Sequence, residues 1–224
     1  MLSRLLDRLE ARVGRHKGIR NLMTMIVFGT ALVYIADMLL PYMAGRSLSS
    51  YLRFSKDAIM HGEIWRLVTF VFIPLESSHL LLLAISLYFY WMMGEYLQNT
   101  WGTFRFTLFY TTGILGSVIS GCITGYATSY YLNMSLMLAM AIIQPEMKMR
   151  LYGLLEIRLK WLALVSVVMM VLPLLQVGNW RDAVAFAVAL LNVLLFFVDR
   201  LIGQIKAAYR RYTWKKNWRN GWKR

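Results

Sequence analysis

The sequence predicts an all-α polytopic membrane protein, a bundle of six helices that each cross a bilayer. Three observations carry that expectation. The 224 residues are 58% apolar and only 16% charged, with a mean hydropathy of +0.50, far more apolar than a soluble domain needs to fill one core. The apolar residues gather in runs approaching the ~17–25 residues with which a helix spans hydrocarbon. The net charge of +14 lies at the chain ends and between the apolar runs, a placement that argues against a nucleic-acid surface. Lipid offers a free backbone amide no partner, so the runs are expected to be helices.

Residues 1–20 read as a cytoplasmic amphipathic arm. Leu2, Leu5, Leu6, Leu9 and Val13 fall at helical spacing, with Arg4, Arg8 and Arg12 on the other side. No small-residue cleavage site follows the first apolar run, which is therefore expected to remain as a span. The membrane domain, 21–200, holds spans near Leu22–Met43, His79–Leu97, Phe106–Tyr126, Tyr131–Gln144, Trp161–Val177 and Ala183–Val198. The first is followed by a long connection, Ala44–Ser78, with too few apolar residues in register to cross. Short interfacial helices on the outer side fit it best. The third span carries Gly113, Ser117, Gly121 and Gly125, one small residue every four positions. Such a face lets a neighbouring backbone approach closely, and a central place is expected for this helix. The fourth run is only about 21 Å long as a helix and needs shielding by its neighbours or a thinned bilayer. The tail, 201–224, sets Trp214, Trp218 and Trp222 one helical turn apart among basic residues, as expected of indoles that contact membrane lipids at headgroup level.

Orientation follows from charge. With both termini in the cytosol, twenty of the basic residues lie inside and five, Arg46, Arg53, Lys56, Arg66 and Arg181, lie outside. The positive-inside rule selects that arrangement and an even number of crossings. Asp37 near the outer end of the first span is expected to reach water, and Asn133 and Asn192 to bond between helices. The single cysteine, Cys122, excludes an intrachain disulfide and a multi-cysteine zinc site. No cofactor or metal is expected.

Several segments, in order, then point to a family. Gly62-Glu63-Ile64-Trp65-Arg66 in the outer connection, His79 opening the second span, Gly94-Glu95 at its end, and Trp101-Gly102-Thr103-Phe104-Arg105-Phe106 resemble the signatures of the rhomboid superfamily of intramembrane proteases and their relatives, including the derlins. Gln144-Pro145-Glu146 and Ile157–Ala163 are similar to that family's connection between its fourth and fifth helices. The resemblance covers roughly residues 60–165 and implies a six-helix rhomboid-like bundle. A plainer reading of the same residues makes Trp65 and Arg66 an interfacial pair and Glu95 with Arg105 a salt bridge.

Working members of the family use a serine near the outer end of the fourth helix and a histidine on the sixth as its base. Here the histidines are His16, His61 and His79, none of them on the sixth span. Ser135 lacks the flanking glycines of the family motif, and an ungapped count from Pro145 places the usual serine near Tyr130. Leu83 stands where the family has an oxyanion-stabilising asparagine. The expectation is an inactive rhomboid-like protein that binds transmembrane helices or partner membrane proteins laterally. The alternatives are an intramembrane serine protease with an unorthodox His79/Ser135 dyad and a small membrane transporter, although the inverted repeats of transporters are not evident. The compact chain without a targeting signal leads to the expectation of a bacterial plasma membrane, with the endoplasmic reticulum as the other home. Clients and oligomeric state are not legible.

Overall fold

The computed structural model describes residues 10–12, 18–44, 47–74, 80–151, 155–172 and 180–221. Helix α1, Leu22–Ala44, leads into a connection that contains α2 Leu48–Leu52, α3 Lys56–Met60 and α4 Arg66–Thr69, the last continued by a 3₁₀ turn at Phe70–Phe72. Then come α5 Leu80–Trp101, α6 Thr103–Thr124 and α7 Ser129–Ile143, a hairpin of β1 Lys148–Leu151 and β2 Leu155–Arg158, and finally α8 Leu159–Val171 and α9 Trp180–Gly221. Helices α1, α5, α6 and α9 are long and apolar enough to cross a membrane, whereas α7 and α8 are apolar but shorter. Met25, Phe28, Leu81, Leu115, Val165 and Leu191 are all exposed on the outside of the bundle, as a surface facing hydrocarbon requires.

Helix starts and stops follow the apolar runs closely, with two departures. The chain is not wholly α-helical: β1 and β2 pair antiparallel with Lys148 opposite Arg158 and Leu151 opposite Leu155. Alternation of polar and apolar residues through Lys148-Met149-Arg150-Leu151 is a strand pattern, too short to stand out beside the long apolar runs. In addition, α9 continues unbroken past residue 200 to Gly221, about 63 Å in all, roughly twice the thickness of a hydrocarbon core.

The helix most enclosed by others is α7 rather than α6. It packs against α5, α6, α8 and α9, and Tyr131, Leu132, Ser135, Leu136, Ala139 and Met140 on it are buried. A short helix surrounded in this way has its ends shielded by protein, which answers the length mismatch noted in its sequence. The connection after α1 folds onto one end of the bundle. Phe54 is buried there and meets Phe70 edge to face, ring centres 6.2 Å apart and planes at 87°. This end, where α6 stops and α7 and α9 start, is the loop end; the opposite end carries the α5–α6 turn and the hairpin.

Candidate functional site

The motif residues of the connection fasten its own backbone. Arg66 is buried; its Nε donates to Glu63 Oε2 at 2.5 Å and its Nη1 to the carbonyls of Ser50 and Arg53 at 2.9 and 2.7 Å. Thr69 donates to the carbonyl of Leu52 at 3.0 Å. The carbonyls left over at the end of α2 thus gain partners from α4. At the other end of α2, the Ser49 N–H donates to Asp37 Oδ1 at 2.9 Å, a carboxylate at the positive end of a helix. Trp65, by contrast, is exposed, and its indole N–H reaches the carbonyl of Tyr51 only at 3.4 Å.

The second group of motif residues joins helices at the opposite end. A Cβ on Gly94 would collide with Met23 of α1, so the glycine sets how closely α1 and α5 approach. Trp101 stacks on Phe197 of α9 with ring centres 4.6 Å apart. Gly102 begins α6 at φ +94°, a conformation that L side chains rarely adopt. The plainer reading of Glu95 and Arg105 as a salt bridge does not hold, since each has another partner. Arg105 pairs with Glu10 of the N-terminal arm, while Glu95 accepts from Asn99 Nδ2 at 3.4 Å. Only the fold brings Glu10 to the α5–α6 turn.

The small-residue face of α6 accommodates side chains rather than a backbone. A Cβ on Gly113 would strike Leu132, and one on Gly121 would lie 2.7 Å from the Phe54 ring. Ser117 is half-buried between them. Gly125 does not belong to this face: α6 ends at Thr124, and Gly125 is its C-cap at φ +81° with nothing near it. Gly116, passed over in the four-residue pattern, faces Val188 of α9 instead.

Of the two degenerate catalytic candidates, His79 lies outside the described residues. Ser135 is 0% exposed and donates to the carbonyl of Leu132 in its own helix at 2.6 Å, so its hydroxyl is bound and sealed from substrate. Leu83 is buried. Trp214 and Trp218 on α9 are exposed with ring centres 5.4 Å apart, and Trp222 lies outside the described residues.

Among the described residues two larger cavities stand out, and sequence reading found neither. A lateral cleft of about 190 Å³ opens between α5, α7 and α8, lined among others by Ser86, Tyr90, Met93, Asn133, Met137 and Leu162. Helices α5 and α8 both pack on α7 but make no extended contact with each other. Asn192 bonds across helices as expected, accepting from Thr112 Oγ1 at 2.9 Å and donating to the carbonyl of Phe109 at 3.2 Å. Asn133 does not. It is 8% exposed, and its Oδ1 has no hydrogen-bond partner. Tyr110 and Ser120 also carry buried hydroxyls without partners, but Asn133 is the one of the three that lines this cleft and the smaller space on its α1 side. The second cavity, about 360 Å³, lies at the loop end among Arg53, Tyr126, Ser129, Tyr130, Tyr131 and Asp182. Ser129, next to the position to which the count from Pro145 points, donates to the carbonyl of Ile73 at 3.4 Å. Among the described residues no group of histidine, cysteine and acidic side chains is disposed to hold a metal.

Residues 20–197 match the profile of the family described as eukaryotic integral membrane proteins (DUF1751). No curated protein and no solved structure matches the chain. The expected bacterial plasma membrane finds no support in this match, because the family is eukaryotic; a compact hydrophobic chain with rhomboid-like motifs carries no mark that separates the two kinds of host. The matched stretch begins before α1 and ends within α9, short of the basic tail, and the chain belongs to this family of eukaryotic integral membrane proteins.

Proposed function

We propose that the chain is a rhomboid-like protein without proteolytic activity that captures transmembrane segments of partner membrane proteins in the lateral cleft between α5 and α8. The observation that carries this reading is Asn133. Leaving an amide oxygen buried without a partner costs roughly 1–3 kcal/mol, and here the residue that carries it lines an apolar cleft whose flanking helices α5 and α8 make no extended contact with each other. A client helix with its own polar side chain near that depth supplies the missing bond, and apolar residues fill the rest of the cleft. By analogy with the rhomboid superfamily, such capture serves membrane-protein quality control, trafficking or the presentation of clients to a protease.

Six crossings with both termini in the cytosol complete the proposal, supported by the division of basic residues, twenty to five. A cysteine placed at Ser49 is then labelled by an impermeant reagent from the non-cytosolic side; labelling only from the cytosol reverses the orientation.

The functional test incubates wild type, Asn133→Leu and Ser135→Ala with a synthetic single-span client carrying a mid-span serine in proteoliposomes. Wild type and Ser135→Ala are expected to retain the client intact and to take up no serine-directed fluorophosphonate, while Asn133→Leu retains several-fold less. Shortening of the client by wild type that vanishes in Ser135→Ala overturns the proposal in favour of a protease.

A further inference from the structure

Helix α9 carries an apolar seam on the face it turns away from the bundle. Leu195, Val198, Ile202, Ile205, Tyr209 and Tyr212 follow one another at alternating steps of three and four residues, the spacing with which one helix packs along another. Leu191, four residues earlier, extends the series to about three heptads. All are exposed except Val198, which is half-buried. The bundle takes the opposite face: Ala189, Asn192, Val193 and Phe197 are buried, and Gln204 Nε2 donates to the carbonyl of Ile142 near the end of α7 at 3.0 Å.

Within a membrane such a face meets acyl chains and needs no other partner. This seam outlasts the hydrocarbon. A crossing that begins at Trp180 passes a core of roughly 30 Å by about residue 200, where Asp199 and Arg200 stand exposed. Ile205, Tyr209 and Tyr212 then lie roughly 8, 14 and 18 Å farther along the axis, beyond the reach of acyl chains, and are 67, 68 and 66% exposed. Side chains of this kind, held in heptad register outside the hydrocarbon, call for a helix laid along them. Charge indicates which helix. Arg200, Arg210 and Arg211 fall on the sides of α9 away from the seam. Flanking the seam are Leu194 and Leu201 on one side and Asp199, Lys206 and Thr213 on the other. A parallel copy sets Leu194 against Asp199 and Leu201 against Lys206, so no like charges meet across these flanks. A bundle of three or four strands would instead draw Asp199 and Lys206 under cover, which favours a pair.

We propose that the chain pairs with a second copy of itself through α9, the two helices running parallel about a two-fold axis along the membrane normal and touching from Leu191 to Tyr212. Copies inserted with the same orientation are parallel by necessity and present the same seam at the same depth, so the surface is self-complementary. The pairing rests on α9 crossing the membrane and not on client capture, and either can fail without the other.

The test measures the protein mass of the full chain in mild detergent by light scattering, and crosslinking in proteoliposomes. Wild type is expected at twice the 26.1 kDa of one chain. Ile205→Lys combined with Tyr209→Lys is expected to raise the dissociation constant roughly tenfold or more, while Arg210→Ala, off the seam, leaves it unchanged. For crosslinking, Cys122→Ser removes the single native cysteine, and one cysteine is placed at Tyr209 or at Arg210. Oxidation is expected to join two chains through position 209 several-fold faster than through position 210. A wild-type mass of one chain overturns the proposal, whether lipid or another protein then covers the seam. A pair that survives the double lysine variant overturns it as well, as does equal crosslinking from the two positions. Should the double variant not fold, the wild-type mass and the cysteine comparison decide the question by themselves.

Discussion

Arg66 shows how a residue that resembles a catalytic-family signature is held for structural reasons. Its guanidinium is buried and bonds two carbonyls and one carboxylate, groups that lose their partner together when it is removed. Arg66→Ala is therefore expected to destabilise the folded chain by about 2–4 kcal/mol, read as a lower midpoint of thermal unfolding in detergent; Trp65→Ala, at an exposed indole, is expected to shift it far less. A glycine on α6 offers a second contrast. A side chain at Gly121 must displace the Phe54 ring or Ala127, so Gly121→Leu should cost about 1–3 kcal/mol or more, whereas Ile123, 60% exposed on the same helix, should accept leucine with almost no change. Equal melting of the two variants would show that the connection does not rest on α6. Asn133 is the third residue of consequence. Its type was legible as polar and intramembrane, but whether it bonds depends on which face α7 turns toward α5 and α8, and periodicity does not report that.

At the scale of elements, the apolar runs located, among the described residues, the four helices long enough to cross a membrane and two shorter apolar ones, because the length of a run and its composition are local properties. What the runs could not give were the features that depend on contact. The hairpin between α7 and α8 is one. Its base is tied to the chain on both sides by Glu146, which takes Lys160 Nζ at 2.8 Å and Arg158 Nη1 at 3.1 Å. The hydrogen bond from Lys160, followed by the charges of Lys160 and Arg158, holds the Glu146 carboxyl below its ordinary 4.5. A carboxyl lowered on folding stabilises the fold above its unfolded value, and that contribution fades as pH falls through the folded one. Amide exchange at Glu146 and in the hairpin should thus be indifferent to pH between 6 and 8, measured against intrinsic rates, and rise below about pH 4. Glu146→Gln should remove this acid dependence; because the pair is exposed, the effect on global stability is small. The loop-end cavity escaped sequence reading for a related reason: Arg53, Tyr131 and Asp182 stand far apart in the chain, and only the packing of α9 against α6 and α7 gathers them. The continuation of α9 past residue 200 was hidden by the change from apolar to basic residues, which alters the surroundings of a helix without ending it.

The whole molecule is an integral membrane protein of a eukaryotic family in which a short, enclosed helix, α7, carries one side of each cavity. The lateral cleft lies between α5, α7 and α8, and the loop-end cavity where α6 ends and α7 and α9 begin. Motif residues at both ends, Arg66 beside α2 and Trp101 against α9, hold the frame around them. The central claim is that a partner helix enters the first of these spaces and leaves uncut. The most direct measurement places a photoreactive phenylalanine analogue at Met137, in the cleft, or at Leu191, on the exposed face of α9, and irradiates proteoliposomes containing a single-span client with a mid-span serine. The account predicts an adduct with full-length client from position 137, several-fold stronger than from 191 and diminished by Asn133→Leu; adducts of equal strength from both positions, unaffected by Asn133→Leu, would contradict it.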